Sequence, residues 1–89
     1  MKLSWDERKR MATLAERSLD FADAGAFFDG RPVLHQPTPR DGEPRWKSTA
    51  WIDDQFYTVV WIQREESLRI ISMRRAHEQE IRKHREFYG

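Results

Sequence analysis

The run from Phe56 to Ile62 constrains this chain more than any other segment. Side chains of an extended strand alternate between faces, so Phe56, Thr58, Val60 and Ile62 fall on one side and Tyr57, Val59 and Trp61 on the other. Both faces are apolar, and such a strand needs cover on both sides and belongs in the interior of a sheet. Two further runs rich in aromatic and β-branched residues, Trp46 to Ile52 and Leu68 to Met73, flank it across Asp53-Asp54-Gln55 and Arg64-Glu65-Glu66-Ser67. This spacing predicts two tight hairpins. Val33 to His35 offers a short fourth strand. Residues 36–44, Gln-Pro-Thr-Pro-Arg-Asp-Gly-Glu-Pro, hold three of the four prolines, which lack ladder donors and make the stretch a loop.

Helical signals bracket the strands. Ser4 followed by Glu7 is the pattern of a capping box, and Met11, Leu14 and Ala15 then form a narrow apolar stripe. Arg8, Lys9, Arg10 and Arg17 point elsewhere, either as a solvated face or as a basic face for RNA or an acidic partner. A second helix is predicted from Asp20 as N-cap, carrying Phe21, Ala24, Phe27 and Phe28 inward until Gly30 and Pro32 stop it. From Arg74 to Tyr88 the period changes to about 3.6 with no Gly or Pro, which predicts a C-terminal helix. The expected fold is α+β, with two N-terminal helices, a three- to four-stranded antiparallel sheet and one C-terminal helix, in a single domain spanning 1–89.

Sixteen Lys and Arg against fifteen Asp and Glu leave a net charge of +1, so attraction for an anion must come from local clustering. There is no cysteine, which excludes disulfides and thiolate metal sites and suits a reducing cytoplasm. The N-terminus has no apolar core of signal-peptide length, and no stretch approaches the roughly 20 apolar residues of a membrane span, so a soluble cytoplasmic protein is expected. His77, Glu80 and His84 share a helix face, but the two histidines are two turns apart, roughly 10 Å, whereas zinc holds each ligand at about 2 Å. No metal is expected. Without a Walker loop, a GxGxxG turn or a Ser/His/Asp constellation, no cofactor is expected either.

The concentrated signal runs from Arg64 and Arg69 through Arg74 and Arg75 to His77, Arg82, Lys83, His84 and Arg85. At helical spacing Arg74, His77, His84 and Tyr88 form one stripe interrupted by Ile81. Arginine grips a phosphate bidentately, and a His or Tyr moves a proton, which together suffice to cut RNA without metal. The same residues also describe a solvated helix with Glu78–Arg82 and Glu80–His84 pairs. Trp46, between Arg45 and Lys47, and likewise Trp61 and Tyr57, are open to base stacking or to core packing.

Several motifs carry a resemblance to a known family. They are Trp5-Asp6 at the first helix, Asp20-Phe21-x-x-Ala24 through Phe28-Asp29, Gly42-Glu43-x-Arg45-Trp46, and above all Arg69-Ile70-Ile71-Ser72-Met73-Arg74-Arg75-Ala76, followed by Glu80 and a terminal aromatic. On these the chain resembles, nearly end to end, a BrnT-type toxin of a bacterial type II toxin–antitoxin pair, itself similar to the RelE/ParE superfold. The resemblance implies a metal-independent endoribonuclease that arrests growth. It also implies a BrnA-like antitoxin that wraps the toxin and represses the operon, so that DNA is met only through the antitoxin. Such sequences usually close the first helix with Lys-His-Gly, where this chain has Ala15-Glu16-Arg17-Ser18.

On this reading the RNA 2′-hydroxyl attacks the adjacent phosphate. Arg45, Arg74 and Arg75 hold that phosphate, His77 or Tyr88 moves the proton, and Trp46, Arg64, Arg69 and His84 complete the substrate contacts. The alternatives are a ParE-like toxin that binds a protein target without cutting RNA, and a non-catalytic RNA-binding regulator.

Overall fold

The computed structural model describes residues 1–89. Its elements are β1 (Leu3–Trp5), α1 (Glu7–Arg17), a 3-10 helix (Phe21–Phe28), β2 (Val33–Pro37), β3 (Trp46–Ile52), β4 (Gln55–Gln63), β5 (Leu68–Arg75) and α2 (Glu78–Tyr88). The strands form one sheet in the order β1-β5-β4-β3-β2, with β4 in the middle as its two apolar faces require. Asp53 and Asp54, at φ 50° and 64°, make the two-residue turn between β3 and β4.

The expected three- to four-stranded antiparallel sheet is corrected to a five-stranded mixed one. β1 runs parallel to β5, with Leu3 opposite Leu68 and Trp5 opposite Ile70. The capping-box reading of Ser4 concealed this strand. Asp6 is the true N-cap, its carboxylate accepting from the N–H groups of Arg8 (2.9 Å) and Lys9 (3.3 Å). Ser4 instead lies in the sheet, its hydroxyl 3.1 Å from that of Ser67. Three residues carry too little alternation to announce a strand, and the partner lies at the far end of the chain.

The second helix starts where expected, with Asp20 accepting from the Ala22 N–H at 2.9 Å, but it is a 3-10 helix. Phe21, Ala24 and Phe27 recur every third residue, which aligns them on one edge at three residues per turn, and all three are buried. They pack on Ala50, Val59, Ile70 and Met73 to form the core of the first sheet face. Each large apolar side chain buried there contributes about 1.5–3 kcal/mol of transfer free energy. Phe28 reaches this core only partly buried.

β5 also runs further than its pattern suggests. Arg74 and Arg75 sit opposite Thr58 and Tyr57, and the Ala76 N–H donates to the Phe56 carbonyl at 3.0 Å. Helix α2 therefore begins at Glu78 instead of Arg74. A bulge breaks the β4–β5 register: Val60 faces Ser72 while Trp61 faces Ile70, leaving Ile71 as the extra residue. A bulge turns neighbouring side chains to the same side, here Ile71 and Ser72 to the second face. α1 flanks that face along β5, and α2 flanks it along β2 and β3. No residue of α1 is buried, and Met11 and Leu14 of its apolar stripe are exposed. No helix is long and apolar enough to cross a membrane.

Candidate functional site

Between α1 and the β2–β3 loop, the second face of the sheet opens into a groove of about 560 Å³. α1 lines it with Lys9, Ala12, Thr13, Glu16 and Arg17, a stripe at i, i+3, i+4, i+7 and i+8. The two small residues in the middle of that stripe leave room above the floor, which is Val60, Ile71 and Ser72. The loop closes the other side with Thr38, Pro39, Arg40 and Arg45. Its shape comes from a tight turn at Asp41 and Gly42, both at positive φ, that pairs Arg40 with Glu43.

Lys9, Arg17, Arg40 and Arg45 thus share the groove with one carboxylate, Glu16. Arg17 is aimed by donating from Nη1 to the Met73 carbonyl at 2.8 Å, and Arg45 by donating from Nε to Glu43 at 3.0 Å. Neither Lys9 nor Arg40 is held by a carboxylate. Cations gathered this way repel one another, and a polyanion laid along the groove relieves that repulsion.

Across the sheet, α2 is fastened by Glu80, whose side chain is 3% exposed. Its Oε1 accepts from Arg74 Nη1 (2.8 Å), the Thr58 hydroxyl (3.0 Å) and the His77 N–H (2.8 Å). Its Oε2 accepts from Arg74 Nη2 (3.0 Å) and pairs with Lys47 Nζ (3.1 Å). Burial pushes this carboxyl up, but the donors from Arg74, the His77 backbone and Lys47 outweigh it and hold the group well below the usual carboxylate range. Glu80 is therefore ionised, and the charge of Arg74 is already answered inside the protein.

The other residues singled out from the sequence are dispersed. Arg75 alternates to the opposite face from Arg74, is exposed, and lies against the Gln55 side-chain amide. His77 is an exposed N-cap whose backbone, through the N–H bonded to Glu80, secures the first turn of α2. His84 is buried, its Nε2 3.1 Å from the Pro32 carbonyl and its ring 5.2 Å from Phe56 and 4.8 Å from Tyr88 between centroids. The Tyr88 hydroxyl donates to the Val33 carbonyl at 2.8 Å. These two rings dock the end of α2 on the start of β2. The stripe expected through Arg74, His77, His84 and Tyr88 does not exist as one helix face, because Arg74 belongs to a strand and His77 to a cap.

Arg64 sits exposed in the β4–β5 turn, and Arg69 is half-buried in β5 opposite Ile62. Trp46 stacks on Trp61 on the core side of the sheet, with centroids 6.2 Å apart. Of the residues proposed from sequence for chemistry or substrate, Arg45 alone lines the groove. The sequence expectations leave out Glu16 and Arg40 and place Lys9 and Arg17 on a basic face. The available signal was the helical stripe at 9, 12, 13, 16 and 17, which carries charge at its ends and small residues between. The Glu78–Arg82 pair forms at 3.6 Å, whereas Glu80 turns inward and leaves His84 to the core.

No curated protein matches the sequence. Residues 5–80 match the family model of the ribonuclease toxin BrnT of type II toxin–antitoxin systems. The matched segment holds α1, the 3-10 helix, β2 to β5 and Glu80, and with them the whole groove. Since the match runs over most of the chain, this protein belongs to the BrnT family of ribonuclease toxins, which work in type II pairs with a protein antitoxin.

Proposed function

We propose that this toxin binds RNA along the groove between α1 and the β2–β3 loop and cuts it there without a metal, in the cytoplasm. The observation that carries the reading is the gathering of Lys9, Arg17, Arg40 and Arg45 around a single carboxylate. Arg40 and Arg45 reach the phosphate from the loop side and Arg17 from the helix side. Their guanidinium forks grip its non-bridging oxygens and stabilise the charge that grows on them in the pentacoordinate transition state. Glu16 accepts the 2′-hydroxyl proton. The 2′-oxygen bonds to phosphorus, the bond to the 5′-oxygen breaks, and Lys9 returns a proton to that oxygen. The products are a 2′,3′-cyclic phosphate and a free 5′-hydroxyl.

Arg74 acts as a positioning residue, since Glu80 joins it to Lys47 and holds α2 against the sheet. The antitoxin is BrnA-like and covers the groove together with the exposed Met11 and Leu14 of α1. Contact with DNA is made through that antitoxin alone. Incubating the purified toxin with total RNA in EDTA tests the reading. Fragments with cyclic phosphate and 5′-hydroxyl ends are expected, and RNA that stays whole until a divalent ion is restored overturns it.

A further inference from the structure

Arg45 and Trp46 are adjacent in the chain but serve opposite faces of the sheet. Arg45 lines the groove, while Trp46 turns to a separate pocket of about 400 Å³ walled by Phe28, His35, Trp46, Trp61, Gln63 and Leu68. Most of these walls are rings. Trp46 stacks on Trp61 at 6.2 Å and 21°, Phe28 stacks on His35 at 6.1 Å and 11°, and Phe28 meets Trp61 edge-on at 5.5 Å. Trp46 is nevertheless 38% exposed, so part of its ring surface has no partner.

The polar groups at this pocket have defined roles. Ser48 is completely buried, and its Oγ accepts the Trp61 indole N–H at 2.8 Å. The Ser48 Oγ also lies 2.6 Å from His35 Nδ1. When the Ser48 hydroxyl donates to that nitrogen, the neutral His35 ring carries its own proton on Nε2. Burial lowers the pKa of His35, which keeps the ring neutral. Gln63 donates its amide N–H to the Arg64 carbonyl at 2.8 Å, which leaves the Gln63 side-chain oxygen as an acceptor.

On the reading that the groove holds the RNA backbone, we propose that this pocket is a base subsite. The nucleotide beside the phosphate gripped by Arg45 passes over the start of β3 and lays its base on Trp46. The His35 N–H and the Gln63 oxygen then offer one donor and one acceptor to the hydrogen-bonding edge of that base. An apolar side chain of a protein partner would fill the same space but leave that donor and acceptor unmet. A nucleotide satisfies the rings, the polar pair and the neighbouring guanidinium together.

Short 2′-O-methyl oligonucleotides, which lack the attacking hydroxyl, test this with the intact toxin, read by affinity and by quenching of tryptophan fluorescence. Oligo(A) is expected to bind about tenfold tighter than an abasic chain of the same length, the size of effect one stacked base supplies. Trp46→Ala should abolish that advantage and Trp46→Phe should keep most of it. His35→Ala should weaken binding of oligo(A) and leave the abasic chain unchanged. Equal binding of abasic and base-bearing chains by the wild type, or an advantage that survives in Trp46→Ala, overturns the subsite while the groove stands. Failure to bind any chain, the abasic one included, removes the groove reading and the subsite with it. An advantage untouched in Trp46→Ala alongside weakened antitoxin binding assigns the pocket to the protein partner instead.

Discussion

Arg74 and Glu80 meet as a two-pronged pair, Nη1 to Oε1 at 2.8 Å and Nη2 to Oε2 at 3.0 Å, that fastens the first turn of α2 to the end of β5. A guanidinium so engaged has its fork filled before any phosphate arrives. Its removal leaves a buried carboxylate short of its main donor, which is costlier than losing a surface pair.

Arg74→Ala and Glu80→Gln are each expected to lower stability by about 3 kcal/mol, the lower end of the scale for breaking a buried pair because Arg74 is partly exposed. The folded-state pKa of Glu80 lies below its ordinary value of 4.5, so its contribution is complete above that pH and is lost as pH falls towards the folded value. Urea melts at a series of pH values check both points. The wild type should weaken on acidification below about pH 4.5, and Glu80→Gln should show a flatter acid limb. Parallel curves for the two proteins would mean that Glu80 is not held ionised by Arg74 and Lys47.

The groove residues should behave in the opposite way, losing activity without stability. Arg40→Ala and Arg45→Ala are each expected to reduce RNA cleavage at least tenfold, about 1.4 kcal/mol of transition-state stabilisation. Lysine at either position should rescue poorly, because a point charge lacks the planar fork. Glu16→Gln should slow cleavage while leaving RNA affinity in place. Cleavage rates and thermal melts measured on the same preparations separate this pattern from unfolding, and full activity in the Arg40/Arg45 double variant would move the site off the groove.

His84→Ala should cost about 2–3 kcal/mol, the scale of opening a cavity and freeing a buried polar contact. The shape of the pH–rate profile should survive in the folded fraction, since the His84 ring faces Pro32, Phe56 and Tyr88 and lies outside the groove lining. The same profile is expected for His77→Ala. A profile flattened between about pH 5.5 and 7.5 in either variant would restore that histidine as the proton carrier.

Ser18 ends α1 in the left-handed region at φ 57°, with its N–H bonded to the Leu14 carbonyl at 3.0 Å. A residue with a Cβ thus takes the left-handed position that favours glycine. Ser18→Gly is expected to stabilise the toxin by about 0.5–1 kcal/mol, because glycine adopts this conformation without a steric penalty. Thermal melts read the gain, and a loss of stability would show that the serine side chain earns its place.

The alternation in Phe56 to Ile62 was enough to place β4 inside the sheet, and Asp53-Asp54 was enough to turn β3 into it. The three-residue spacing of Phe21, Ala24 and Phe27 also contained the 3-10 period. These features are local: the direction of a side chain follows from its position along its own element, so periodicity reports which face is buried. The pairing of Leu3-Ser4-Trp5 with β5, the bulge that turns Ile71 and Ser72 into the groove, and the capture of Arg74 by Glu80 have no such local trace. Each depends on which distant segment lies alongside. A charged residue reads the same in sequence whether it meets a buried carboxylate or open solvent, and its electrostatic environment, set by tertiary packing, left Arg40 and Arg45 in the groove and turned Arg74 inward.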